Sequence, residues 1–246
     1  MGETTMTIRN LMIFTIAATL AISTFANCGT CRKGAAKATP KCEDGFVQLF
    51  DGKTFTNWRS RNNPKPPTKG WKIKDGVLTV LAKNAGGGGG DIITEKMYSD
   101  FILKLEFKLT PKANSGIKYF FDPKKFGGTT LEYQVLDPGH PDAKHGRDGN
   151  RTVASLYDMM PANAEKLLKP VGEWNKVMLV VKGMHVEHWL NGQKVLEFDR
   201  DSDKFKTAFE KSKYNNHTGW GSQTKGHILL QDHTDCVSYR NIMIRE

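Results

Sequence analysis

Several stretches of this chain carry proton-handling side chains where a purely structural strand would carry apolar ones. Leu131-Glu132-Tyr133-Gln134-Val135-Leu136-Asp137 alternates Glu132 and Gln134 against Tyr133 and Val135, so carboxylate and amide share one face. Asn114 to Tyr119 sets Lys118 between Ile117 and Tyr119, and Leu229-Leu230-Gln231-Asp232-His233 ends an apolar strand on three polar residues. Thr94-Glu95-Lys96 offers another carboxylate, and Val186-Glu187-His188-Trp189 puts Glu187 with Trp189, opposite His188. Asp137 opens a long polar loop through His140, His145 and Arg151, a composition that suits either a functional loop or a solvated one. A carboxylate, an ammonium and an imidazole on one face can take up, stabilise and return a proton. A face bearing Glu, Gln, Lys, His and Trp also reads as a saccharide cradle, with aromatic planes on sugar C–H faces and polar groups on hydroxyls.

The elements that would position these residues have period two. Phe101 to Leu109 alternates Phe101, Leu103, Leu105, Phe107 and Leu109 against Ile102, Lys104, Glu106 and Lys108, giving one buried face. Asp75-Gly76 and Asn191-Gly192 are hairpin turns, joining Ile73–Lys74 to Val77–Val80 and His185–Leu190 to Gln193–Phe198. Further strands are expected at 116–121, 131–136, 177–182, 227–231 and 237–245. Asp203 to Lys213 is the one helical stretch, about three turns long, with an acidic start and a Lys-rich end that suit the helix dipole. Many short strands with turns between them predict a two-sheet all-β sandwich or jelly roll. The run Gly86 to Gly90 precedes a strand rather than a helix, so it reads as a pliable connection and not a phosphate loop.

Residues 1–26 read as an export signal, with Arg9, an apolar run and small residues at its end. Cys28 stands where a bacterial lipoprotein would carry its lipid, and simple cleavage after Ala26 is the alternative. Either way the expectation is an exported protein, periplasmic or membrane-anchored. Residues 27–44 read as a flexible basic spacer and 45–246 as the folded domain. The four cysteines are Cys28, Cys31, Cys42 and Cys236. In an oxidising compartment a Cys42–Cys236 bridge is the favoured pairing, and Cys28-x-x-Cys31 lacks the partners to complete a zinc site.

With 36 Lys+Arg against 26 Asp+Glu, the formal charge is +10. The cations are spread through spacer, turns and strand faces without a basic stripe interleaved with aromatics, which argues against nucleic acid as partner. A basic spacer would favour an anionic membrane surface. The loop from 137 to 148 has acidic residues that could take calcium, but its basic residues and histidines make no metal the default expectation.

The chain resembles a bacterial family, the 3-keto-disaccharide hydrolases, also described as 3-keto-glucoside lyases and hydratases. The resemblance is carried by Phe50-Asp51-Gly52-Lys53-Thr54, Asp91 to Lys96, Ala113 to Ile117, Leu131 to Asp137, Lys169 to Asn175, Val186 to Gly192, Leu230 to His233 and Tyr239 to Ile242, in that order. Thr234 departs from it, standing where the family usually has Gly. The resemblance implies a concanavalin A-like jelly roll and a substrate oxidised at C3, supplied by a sugar C3 oxidoreductase. A C3 ketone acidifies C2–H, so a base, an enolate-stabilising cation and a proton source would expel the C1 oxygen. Glu132 or His233 is then the base, Lys118 the cation, and His233 or Asp137 the acid. Glu95, Gln134, His140, Trp189, Gln231 and Asp232 are the expected substrate-binding residues. Two other accounts stay open: a conventional glycosidase pairing Glu132 with Asp137 or Asp232, and a lectin-like module that binds without cleaving.

Overall fold

The computed structural model describes residues 45–246. The expected signal, the spacer, and Cys28, Cys31 and Cys42 lie outside the described residues. Cys236 is half-buried and forms no disulfide among the described residues.

Thirteen strands and one short helix make up the domain. They are β1 (Val47–Gln48), β2 (Trp58–Ser60), β3 (Trp71–Lys74), β4 (Val77–Val80), β5 (Ile92–Thr94), β6 (Phe101–Leu109) and β7 (Asn114–Phe121). Then follow β8 (Leu131–Leu136), β9 (Asn175–Lys182), β10 (His185–Leu190), β11 (Gln193–Asp199), α1 (Asp203–Glu210), β12 (His227–Leu230) and β13 (Val237–Arg245). One sheet runs β11-β10-β9-β6-β13-β4-β3, with β1 added against β13; the other runs β2-β5-β12-β7-β8. Every pairing in both is antiparallel. This is the two-sheet jelly-roll sandwich with one helix that the alternation predicted.

Both hairpin turns form as their residues dictate. Asp75 and Gly76 take φ 52° and 77°, Asn191 and Gly192 take 50° and 87°, the left-handed pair that matches strand twist. The alternation in β6 buries Phe101, Leu103, Leu105, Phe107 and Leu109. They meet the inward residues of the other sheet, among them Ile117, Tyr119, Tyr133, Val135, Ile228 and Leu230. Each large apolar side chain buried this way contributes roughly 1.5–3 kcal/mol before entropy is charged. Polar pins cross the same core. Ser115 Oγ and Tyr239 Oη lie 2.7 Å apart, and Tyr119 Oη lies 3.0 Å from His188 Nε2.

The smaller sheet is not wet on its outer side, where the alternation alone would leave it so. All six residues of β8 are buried. Its free edge is taken by the segment after the polar loop: Gln134 N–H donates to Ser155 O, Ala154 N–H to Gln134 O, and Tyr157 N–H to Glu132 O. On the far side of the sheet Ile93, Phe121 and Leu229 form a separate apolar floor. Phe121 reaches it because Phe120 takes φ 57° and the β7–β12 register slips there, a bulge that turns the next side chain outward.

Candidate active site

Glu132 and Lys118 are cross-strand partners in the β7–β8 ladder, on the outer face of the five-stranded sheet. Lys118 Nζ lies 3.7 Å from Glu132 Oε2, with both side chains largely buried. Gly116 makes room for the carboxylate, since a Cβ built there would come 2.0 Å from Glu132 Oε1. Burial pushes the Glu132 carboxyl up from its ordinary value, against the pull of Lys118, Lys213 and His233, while Asp91 adds to the rise. The carboxyl is therefore desolvated and its affinity for a proton raised, the direction that brings a carboxyl toward general-base work nearer neutral pH.

Around this pair the structure gathers most of the sequence-predicted residues. Gln134, two positions along the same face, reaches Asn114 and Glu132. Its nitrogen lies 3.2 Å from Asn114 Oδ1; with the amide turned over, it donates instead to Glu132 Oε1 at 3.2 Å. Asn114 in turn lies 3.4 Å from Asp142 Oδ2. His140 sits beside Asp142, accepting its backbone N–H at Nδ1, which leaves Nε2 as the N–H tautomer when the ring is neutral. The His140 and His233 rings meet edge to face, centroids 6.5 Å apart. Gln231 is hydrogen-bonded through its backbone to Gly116 and Ser115, at the end of β12.

Asp232 acts as a clamp for this corner. Its Oδ2 accepts from Gly90 N–H, its Oδ1 from Thr234 N–H, and its own N–H donates to Asp91 Oδ1. Asp91 is paired with Arg61 at 3.1 Å. The glycine run is what brings Gly90 there: a Cβ on Gly89 would lie 2.0 Å from Lys69 O, and one on Gly70 would lie 2.3 Å from Gly89 N. Two backbones cross with no space for side chains. The pliable connection is thus a close-packed support for the residues flanking His233.

Three sequence-predicted residues stand outside the cluster. Asp137 has both carboxylate oxygens occupied by backbone N–H groups of Lys112 and Gly139, so it caps the turn between β6 and β7. Glu95 is exposed and faces Arg59 at 3.6 Å. Trp189 lies on the outer face of the other sheet, where its indole N–H donates to Glu187. His188, its neighbour, points into the core, and burial pushes its pKa down to about 4. The acidic groups of the 137–148 loop fit calcium poorly: Asp137 is spent on backbone and Asp142 faces His140 and His145. No step is therefore routed through a metal.

Four contributors escaped sequence reading: Asp91, Arg61, Tyr157 and Lys213. Lys213 belonged to the Lys-rich end of the expected helix. The helix stops at Glu210, and the chain then turns so that Lys213 N–H donates to Asp158 Oδ2 while its ammonium lies 4.4 Å from the Tyr157 ring centre. Asp158 is locked to Arg151 at 2.7 Å.

The fold and site place the chain among β-sandwich carbohydrate enzymes. Residues 45–245 match the 3-keto-alpha-glucoside-1,2-lyase-like domain, and the chain belongs to that family. It is 37% identical over 234 residues to a 3-keto-disaccharide hydrolase of Bacteroides thetaiotaomicron, covering 84% of this chain and 80% of that one. A crystal structure of a candidate glycosyl hydrolase from Parabacteroides distasonis superposes with TM-score 0.71 at 32% identity, covering 82% of this chain and 93% of that one. A second from the same organism gives 0.62 at 28% identity, over 82% and 98% of the two chains. Membership bears out the expectation of an enzyme.

Proposed function

We propose that this enzyme cleaves the glycosidic bond of 3-keto-glucosides by elimination and rehydration, with net hydrolysis. The observation that carries the reading is the Glu132–Lys118 pair: a desolvated carboxylate 3.7 Å from an ammonium on the outer face of one sheet. The family and its Bacteroides thetaiotaomicron relative, a 3-keto-disaccharide hydrolase, supply the substrate class.

Glu132 takes the C2 proton. The C2–H pair becomes C2=C3, and the C3 carbonyl pair moves onto oxygen beside Lys118, whose charge stabilises it. When the ketone reforms, the C2=C3 pair moves to C1=C2, the C1–O bond breaks, and His233 protonates the leaving oxygen. Water then adds across C1=C2. His233 takes a proton from the water whose hydroxyl joins C1. Glu132, its proton exchanged with solvent, returns one to C2, so both groups end as they began. Gln134, His140, Gln231 and the Asp232 corner orient the sugar.

A conventional glycosidase needs a second carboxylate in reach. Here Asp137 and Asp232 hold backbone N–H groups, and Asp91 is matched by Arg61, which favours the single-base route. Export and a preceding C3 oxidation belong to the same proposal, since a 3-keto sugar must first be made by an oxidoreductase. The test is to incubate the protein with 3-keto-trehalose and other 3-keto-glucosides and follow enone absorbance and sugar release. Cleavage is expected for the oxidised sugars. Cleavage of the unoxidised parents at equal rates would reject the proposal, and tight binding without product would leave a lectin-like module.

A further inference from the structure

We infer that Lys213 is a second cation of the catalytic face, donating to the C3 oxygen as it becomes an enolate, opposite Lys118. The inference rests on the elimination reading above and adds a residue to it.

Lys213 reaches the face from the segment that follows α1, and three contacts fix it there. Its backbone N–H is held by Asp158 Oδ2 at 2.8 Å, and its ammonium lies 4.4 Å from the Tyr157 ring centre and 5.3 Å from that of Tyr214. Tyr157 in turn hangs on Glu132 itself, through its N–H to the Glu132 carbonyl. Lys213 is exposed as a residue, and its ammonium is set over the Tyr157 and Tyr214 rings, where the Tyr157 segment is bonded to the Glu132 strand. After Lys118, it is the strongest favourable charge acting on Glu132.

Charge counting around Glu132 gives the reason. Asp91 is balanced by Arg61 at 3.1 Å and Asp158 by Arg151 at 2.7 Å. With those arginine pairs set aside, Glu132 is left with two cations acting on it, Lys118 and Lys213. The resting face carries one cation more than Glu132 needs, which is wasteful for a neutral sugar and fitting for an anion that develops only during reaction. Once Glu132 holds the proton, both ammonium groups face the enolate oxygen. No covalent bond to Lys213 is formed, and its proton count is unchanged over the cycle.

The groups facing Lys213 are Glu132 and Asp158, which favour its charged form, and Arg151 and Lys118, which oppose it. Burial dominates and lowers its pKa from the ordinary lysine value. The wild-type rate should therefore fall on the alkaline side at lower pH than an ordinary lysine would dictate.

The test uses the full protein and a 3-keto-glucoside. Lys213→Met keeps the stem on Tyr157 and Tyr214, and should lower kcat about 10²–10³-fold with KM changed far less. Lys213→Arg should recover much of the rate and move the alkaline fall to higher pH. Exposed Lys211→Ala is the control and should leave the rate alone. A wild-type kcat in Lys213→Met, or an alkaline limb unmoved in Lys213→Arg, would overturn the inference. A Lys213→Met chain that melts well below wild type hands the decision to the Lys213→Arg pH profile. If the wild-type protein itself neither cleaves the 3-keto-glucoside nor exchanges C2–H in D2O, the elimination reading fails first.

Discussion

The two sheets of this sandwich each turn a polar outer face, built from nearly the same residue types, and only one of them is arranged for chemistry. On the eight-stranded sheet Glu187 meets Lys194 at 3.2 Å and the Trp189 indole, His185 bridges Glu187, Glu197 and Asp199, and Glu106 takes Arg240 at 2.8 Å. Each carboxylate there has a close cation and access to water, so its charge is already spent. The Glu187 carboxyl is accordingly held below its ordinary value, with hydrogen bonds from Trp189 and Lys194 outweighing burial. On the five-stranded sheet Glu132 is buried, its cation stands 3.7 Å away, and its pKa moves up. The difference is solvent and pairing, not composition. A face becomes reactive when a loop and a strand edge take the water from one carboxylate and hold its cations at a distance instead of in close contact.

Breaking the pair on the reactive face should have the largest effect. Glu132→Gln is expected to lower turnover of a 3-keto-glucoside about 10²–10⁴-fold, while Glu187→Gln and Trp189→Ala on the other face leave kcat close to wild type. The pH profile sharpens the same contrast. Activity needs ionised Glu132, so it should be lost as pH falls, with a midpoint above the ordinary carboxylate range because burial raises this group.

Gly116→Ala is the next largest. The Gly116 backbone is not in the left-handed region, so alanine fits the strand, but its methyl would occupy the Glu132 carboxylate's position. Displacing a catalytic group by about 1 Å costs about 10²-fold, so kcat should fall while Tm stays near wild type. A large Tm loss with normal specific activity would show that Gly116 serves the sheet instead.

His188 tests the core between the faces. It is neutral in the fold, with pKa about 4, against about 6.5 unfolded. A depressed pKa means the unfolded chain binds more protons between those values, so stability is present above pH 6.5 and lost toward pH 4, by about 3 kcal/mol. Denaturation across that window should show the slope, and His188→Gln should flatten it even as it weakens the fold.

The smallest change concerns Thr234, a β-branched residue at φ 64° beside His233. Left-handed geometry costs a non-glycine residue roughly 1–2 kcal/mol and glycine's unfolded entropy returns about 0.5–1. Thr234→Gly should therefore raise stability by under about 1 kcal/mol, read as a slightly higher urea midpoint.

Most of the fold was legible in the sequence because period two and two Asx-Gly turns are local signals. β6, β8, β10 and β13 stand at the expected limits. β1 and β2 were missed because strands of two or three residues carry no measurable alternation. The site was legible where one strand supplied two members, as with Glu132 and Gln134. It was opaque where distant segments converge: Lys213 looked like a helix end, and Asp91 like a strand start. Trp189 and Glu95 were grouped with the site by residue type, and type does not say which of two faces a strand presents. Asp137 sits on the right strand, but its carboxylate is taken by backbone N–H groups.

The central claim is that cleavage passes through loss of the C2 proton to Glu132. The direct measurement is deuterium content at C2 of the sugar released from a 3-keto-glucoside in D2O, at short times. Elimination and rehydration predict about one deuterium at C2, with the isotope and the product both vanishing in Glu132→Gln. A product that keeps its C2 hydrogen, formed at full rate, would contradict the account.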